Sequence, residues 1–224
     1  MKAVLKANAI SLLMTLVVAI YGFAHFHSLP EQMASHFDFQ GHPDAYSSRL
    51  FVLLTLPLLC LMTILIIPVL VMSAPQNYRM VNSQYVIGRL NLSVATMLNG
   101  MQLGIVYCQL HPGQISFAAW MGCCFSIFMI LIGIFFGKLE RNYFLGIRLP
   151  WTLASEANWT ATHRFAGKWM ILSGAVGFAL SLQTRSGLDA LVLLLLSLVA
   201  PTAYSYRLHL QQGRNPGSKG SPLS

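Results

Sequence analysis

Charged side chains are scarce in this sequence. Asp, Glu, Lys and Arg make up 9% of its 224 residues, against roughly 25% in soluble domains, and that excludes an ordinary water-soluble fold. Cysteine is also sparse. Cys60, Cys108, Cys123 and Cys124 all fall inside apolar runs and show neither CxxC nor Cys/His spacing, which excludes a zinc or dithiol redox motif and leaves them as packing residues. What is abundant is hydrocarbon: hydrophobic residues make up 55% of the chain and the mean hydropathy is +0.61.

Several apolar runs approach or exceed the roughly 20 residues that cross about 30 Å of hydrocarbon as a helix. Only helices or closed barrels satisfy their backbone groups in lipid, so the pattern specifies an all-α, polytopic membrane protein. Six spans are expected, at 4–24, 50–73, 86–110, 115–137, 167–184 and 187–206. The first run also has the outline of a secretory signal, because Lys2 and Lys6 precede an apolar stretch ending near Ala24. Its length and the lack of an A-x-A site favour a retained span.

The formal charge of +8 bears on orientation through its distribution. With the N-terminus in the cytoplasm, Lys2, Lys6, Arg79, Arg89, Lys138, Arg141, Arg148, Arg164, Lys168, Arg207, Arg214 and Lys219 fall inside, leaving only Arg49 and Arg185 outside. That asymmetry follows the positive-inside rule. It predicts both termini inside, a folded loop over 25–49 outside, spans over 50–137, a cytoplasmic elbow over 138–166, the last two spans over 167–206, and a disordered cytoplasmic tail over 207–224.

Polar residues within the spans suggest packing. Asn91, Asn99 and Gln102 fall within an arc of about 80° at roughly 100° per residue. Such a stripe serves interhelical hydrogen bonding or lines a ligand cavity, and the first is favoured. Gly133 with Gly137, and Ser173, Gly174 and Gly177, allow helices to approach closely. Pro57, Pro68 and Pro201 are expected to kink or end their helices, and Asp189 suits the first turn of the last span. The NxS/T matches at Asn91 and Asn158 lie in a span and on the inner face, where glycosylation does not occur.

The loop 25–49 carries its own signals. Ser28 and Glu31 flank Pro30 as a capping box, predicting a short helix. His36-Phe37-Asp38-Phe39 alternates as an extended segment, Gly41 permits a turn, and Asp44 is expected to cap the second span. His25, His27, His36 and His42, with Glu31, Asp38 and Asp44, include zinc-ligand types. Their spacing matches no metal motif, so no metal or other cofactor is expected. The same histidines are also candidates for pH sensing, on number alone.

The segment 138–168 is unusually polar. A helix pattern begins near Ser155, Trp159 and His163 share one face of it, and Thr162 lies beside them. Arg148 is a planar cation suited to phosphate, carboxylate or carbonyl groups. Trp, Tyr and basic residues are at home at the membrane interface, so membrane lipid is the simplest partner.

The stretch GIRLPWTL followed by ANWTATHRFAG resembles the C-terminal signature of the SdpI family of bacterial integral-membrane immunity proteins. Asn142, Gly146, Arg148, Pro150, Trp151, Thr152, Trp159, Thr162, His163 and Gly167 carry the match, and Leu149 stands where Thr is usual. The order Leu29-Pro30, His36, Gly41, Pro43, Asp44 is similar to the domain of unknown function that commonly precedes this signature. The resemblance implies a non-enzymatic inner-membrane protein that protects its cell from a secreted antimicrobial peptide. It further implies, for some members, recruitment of a cytoplasmic transcriptional repressor without direct nucleic acid binding. Two other classes stay open. A small transporter or channel-like protein would use the polar face of the third span. A membrane enzyme would need His163 with Glu156 or Glu140, or His36 with Asp38 or Asp44, and neither grouping forms a known catalytic pattern.

Overall fold

The computed structural model describes residues 2–38, 41–72, 84–142 and 145–214. Helix α1 (Lys2–Ala24) leads through a single 3-10 turn (Phe26–Ser28) into strands β1 (Gln32–Phe37) and β2 (Pro43–Ser48), and α2 (Arg49–Met72) and α3 (Gln84–Leu110) follow. Beyond them come α4 (Phe117–Phe136), the short α5 (Pro150–Ala154), α6 (Glu156–Thr184) and α7 (Leu188–Arg214). The six long helices alternate in direction. The hairpin, the α3–α4 turn and the α6–α7 turn meet at one end of the bundle, where Phe37 stacks on Phe117 and Ser116 Oγ donates to Arg185 O at 2.8 Å. The elbow between α4 and α6 lies at the other end, as do the N-terminus of α1 and the C-terminal end of α7.

Among the described residues, α1, α2, α4, α6 and α7 are long and apolar enough to cross a membrane. Their outer faces are hydrocarbon, with Leu13, Leu16, Leu65 and Val199 all more than half exposed. The sixth expected span, α3, has the length, but its Asn91, Ser93, Asn99 and Gln102 are buried. It packs against α1, α2 and α4, and a central helix needs less apolar surface than one that faces lipid.

Small residues set the spacing of α4 and α6. A Cβ on Gly133 or on Gly167 would lie 2.7 Å from the other's carbonyl oxygen, and one on Gly174 would lie 2.7 Å from Ser126 O. Across the α3–α4 contact, Trp120 fills the space a Gly104 side chain would need and donates Nε1–H to Gly100 O at 2.8 Å.

Three expectations are corrected here. No helix opens at Ser28. Its N–H closes the 3-10 turn onto His25 O at 2.9 Å, and Glu31 O accepts the Arg49 N–H at 2.9 Å, which pulls the chain into an antiparallel ladder. Asp44 stands in β2, and Ser48 takes the capping role, its Oγ accepting the Phe51 N–H at 3.3 Å. Finally, α7 continues to Arg214, so residues 207–214 are helical and not a loose tail, while the remainder of the expected tail lies outside the described residues. Pro57 and Pro201 sit inside continuous helices and end neither.

Candidate functional site

At the hairpin end the strands cap a cavity of about 410 Å³. Its walls are the first turns of α2 (Phe51, Thr55), the last turns of α3 (Ile105), and the starts of α4 (Phe117, Met121) and α7 (Leu191). The cap is Ser35 to Asp38 with Gly41. Gly41 has φ +85, in the region where a side chain is strained, and any Cβ there would collide with Ala118. The turn is held by Asp38, whose Oδ1 accepts the His42 N–H at 2.8 Å. His36 Nδ1 meets Asp44 Oδ1 at 2.6 Å, and His42 Nδ1 lies 3.5 Å from Asp38 Oδ2. Pro30 is exposed ahead of β1 and Pro43 begins β2. Each of these two histidines is thus paired with a single carboxylate, and among the described residues no group of three or more His, Cys, Asp or Glu side chains is placed to hold a metal.

Sequence reasoning counted Arg49 only as an external charge. Its guanidinium donates to Phe26 O at 2.9 Å and Leu29 O at 3.1 Å and covers the Phe26 ring at 4.3 Å. One side chain therefore ties the end of α1 to the start of α2. The available signal was its position as the lone cation at the base of a folded loop.

Of the three expected polar residues of α3, Asn91 and Asn99 face α1. Asn91 Nδ2 donates to Asn8 Oδ1 at 2.9 Å, and Asn8 Nδ2 continues to Ile64 O on α2 at 3.2 Å. Asn99 Nδ2 reaches Thr15 Oγ1 at 3.1 Å and its own helix at Ala95 O at 2.8 Å. Thr15 Oγ1 lies 3.1 Å from the buried Cys60 thiol. Gln102, 1% exposed, finds no partner for either amide atom among the described residues.

The described residues of the elbow are linked by side-chain-to-backbone hydrogen bonds. Asn142 is fully buried and closes its turn on itself, with Oδ1 accepting the Leu145 N–H at 2.7 Å and Nδ2 donating to Glu140 O at 2.8 Å. Gly146 follows at φ +109, and a Cβ there would collide with His163 Nε2. His163 Nε2 accepts the Ile147 N–H at 3.0 Å, while Nδ1 lies 2.8 Å from Trp159 O. These partners assign the neutral ring with its proton on Nδ1. The ring stacks on Trp159 at 4.0 Å, and the Trp159 indole donates to Leu139 O at 2.7 Å. Both ring nitrogens of His163 are thus taken up by backbone groups, and Glu156 pairs with Arg141 at 3.1 Å.

Pro150 opens α5, where its missing N–H costs nothing. Leu149 offers no side-chain cap. Thr152, fully buried, substitutes by accepting the Leu149 N–H at 2.9 Å and donating to Ile147 O at 2.8 Å. The elbow is then fastened to α7. Trp151 Nε1 donates to Ser205 Oγ at 3.0 Å, Asn158 Nδ2 donates to Ser205 O at 3.0 Å, and Thr162 Oγ1 donates to Asn158 Oδ1 at 3.0 Å. Asn158 and Ser205 were absent from the expected site, although Asn158 precedes Thr162 by one helical turn on the same face. Within the signature Arg148 and Pro150 are exposed, whereas Asn142, Thr152, Trp159, Thr162, His163 and Gly167 are buried, and of the two exposed residues only Arg148 carries a charge.

This arrangement defines a polytopic helical membrane protein whose last two long helices are joined to α4 by an elbow built around buried Asn142, Thr152, Trp159 and His163. Residues 138–205, which run from that elbow to Ser205, match the model of the SdpI/YfhL protein family, and residues 13–61 match that of DUF1648, a domain of unknown function. The chain is 25% identical over 207 residues to immunity protein SdpI of Bacillus subtilis (strain 168), covering 92% of this chain and 97% of that relative. Over residues 138–205 the chain is thus similar to the SdpI/YfhL family, and it is a multi-pass protein of the bacterial cytoplasmic (inner) membrane. No solved structure matches it.

Proposed function

We propose that this protein confers immunity to a secreted antimicrobial peptide. The observation that carries the reading is the end-to-end similarity to an immunity protein, which includes both the hairpin segment and the elbow. In this reading the N- and C-termini are cytoplasmic, the hairpin faces outward and the elbow inward, as the bias of basic residues favours. The peptide would then be met at the hairpin end. The basic elbow end, with exposed Lys138, Arg148, Arg164 and Lys168, would face anionic headgroups and any cytoplasmic repressor that the protein recruits.

The reading is non-enzymatic. Both ring nitrogens of His163 are engaged by backbone groups, and His36 has one carboxylate partner. A transporter would draw on the open amide of Gln102, but Asn91 and Asn99 bond to α1, an arrangement that favours packing.

The test is a deletion strain challenged with peptides secreted by its own and neighbouring species. Deletion should sensitise the cells and the intact gene should restore resistance; unchanged sensitivity to every peptide would sink the proposal. Orientation is checked separately. A membrane-impermeant maleimide added to whole cells should label Ser35→Cys and spare Ala157→Cys, and the opposite pattern would reverse the assigned faces.

A further inference from the structure

We propose that the hairpin-capped cavity binds the apolar segment of an amphipathic peptide whose charged end is cationic. The inference rests on the immunity reading for the identity of its ligand as a peptide, and on the cavity itself for where and how it binds. Three observations carry it. The cavity is of ligand size, about 410 Å³, within the range of roughly 300–1,000 Å³ typical of small-molecule sites. Its walls are mostly hydrocarbon and aromatic, from Phe51, Ile105, Phe117 and Met121, with Ser35, His36, Asp38 and Thr55 as the polar members, so they favour an apolar insert over a polar one. At its mouth Phe51 is 58% exposed and Leu188 47% exposed, so the site communicates with the lipid-facing surfaces of α2 and α7.

The sign of the ligand follows from the cap. Among the described residues, Glu31, Asp38, Asp44 and Asp189 stand at this end with Arg49 and Arg185 as its only Lys or Arg side chains, so four of the six acids collect here. With histidine counted as neutral, a chain of formal charge +8 therefore carries net negative charge among the described residues of this end. The Arg49 guanidinium is directed at the Phe26 and Leu29 carbonyls and away from the acids; Asp38, which also holds the His42 N–H, sits in the cavity wall, and Asp44, paired with His36, is 46% exposed. A bound apolar segment would put its charged end beside these carboxylates, which complement a cation and repel an anion.

The experiment uses the full chain in vesicles of phosphatidylethanolamine and phosphatidylglycerol. The probes are a dansyl-labelled Leu/Phe peptide ending in a Lys pair and its counterpart ending in a Glu pair. p-Benzoylphenylalanine replaces Thr55 at the cavity wall or Leu16 on the lipid face of α1. The Lys peptide should crosslink at Thr55 about tenfold more than at Leu16. The Glu peptide should lose most of that preference, and Asp38→Asn, which keeps the acceptor for the His42 N–H, should narrow the difference between the two. Ile105→Trp and Met121→Trp fill the cavity and should abolish crosslinking, whichever of them retains the parent melting transition being the one read. Equal labelling at Thr55 and Leu16 would mean simple partitioning into the bilayer and would overturn the proposal. So would labelling insensitive to the filled variants, or a copurifying phospholipid that the Lys peptide does not displace. The two readings separate in the challenge assay. If the parent protects cells and a folded cavity-filled variant protects equally, the cavity is wrong and immunity stands; if the probe binds as described and the parent protects against nothing, immunity is wrong and the cavity stands.

Discussion

His163 Nε2 accepts the backbone N–H of Ile147 at 3.0 Å, directly over the α-carbon side of Gly146 where any Cβ would collide with it. The signature's glycine and histidine are thus two halves of one contact. His163→Ala leaves the part-buried Ile147 N–H unpaired beside a new void and should lower stability by about 2–4 kcal/mol. Gly146→Ala must strain the φ of +109 and displace the ring, with a loss of about 1–3 kcal/mol or more. Thermal melts in detergent check both, and His163→Gln, which retains an amide acceptor, should recover part of the loss. A wild-type melt for His163→Ala would show that the contact is dispensable.

The polar face of α3 separates into bonded and unbonded members. Asn99→Leu removes the Thr15 contact and should cost about 0.6–1.7 kcal/mol. Gln102→Leu deletes an amide with no partner and should be neutral or stabilising. Unfolding in denaturant distinguishes them. If Gln102→Leu proves the more damaging, or if the Asn99→Leu/Gln102→Leu pair abolishes a measurable ion or solute flux, the packing interpretation is wrong.

Arg49→Met keeps the length of the side chain while removing its two hydrogen bonds to the loop. Bonds from a charged donor contribute about 1.5–3 kcal/mol in total effect. Hydrogen exchange over residues 26–37 should accelerate, with little change in α4 and α6. Uniform acceleration would assign Arg49 a global role instead of a local one.

Trp151 and Arg148 sit three residues apart and should behave oppositely. Trp151→Ala loses the Ser205 bond and the stacking on His209, so its melting transition should fall by the equivalent of about 1–3 kcal/mol. Arg148→Ala should melt like the parent, as Lys219→Ala should, yet lose protection in the challenge assay where Lys219→Ala does not. Full protection by Arg148→Ala would remove the elbow's exposed cation from the functional surface.

The helices were legible because hydrocarbon runs declare themselves by length, and the glycine spacing at 133 and 137 declared a close contact. The loop was legible only in part. Ser28, Pro30 and Glu31 read locally as a helix start, but the competing ladder to residues 43–48 is a nonlocal pairing that no local pattern records. The same holds for Asp44, whose partner His36 lies on the other strand. In the elbow, the motif residues were visible as a pattern while their partners were not. Leu139 O, Ile147 N and Ser205 O are backbone groups, and their identity as acceptors and donors is set by where the chain passes and not by which side chain they carry.

The burial of Trp159 has a practical consequence. Of the four tryptophans in the chain, Trp159 has no exposed surface, with its indole N–H held by Leu139 O and its face against His163. An indole in such surroundings emits at short wavelength and is shielded from aqueous quenchers. With Trp120, Trp151 and Trp169 replaced by Phe, the remaining emission reports the elbow alone, so a red shift and rising quencher access would register its opening before the helical signal of the bundle declines.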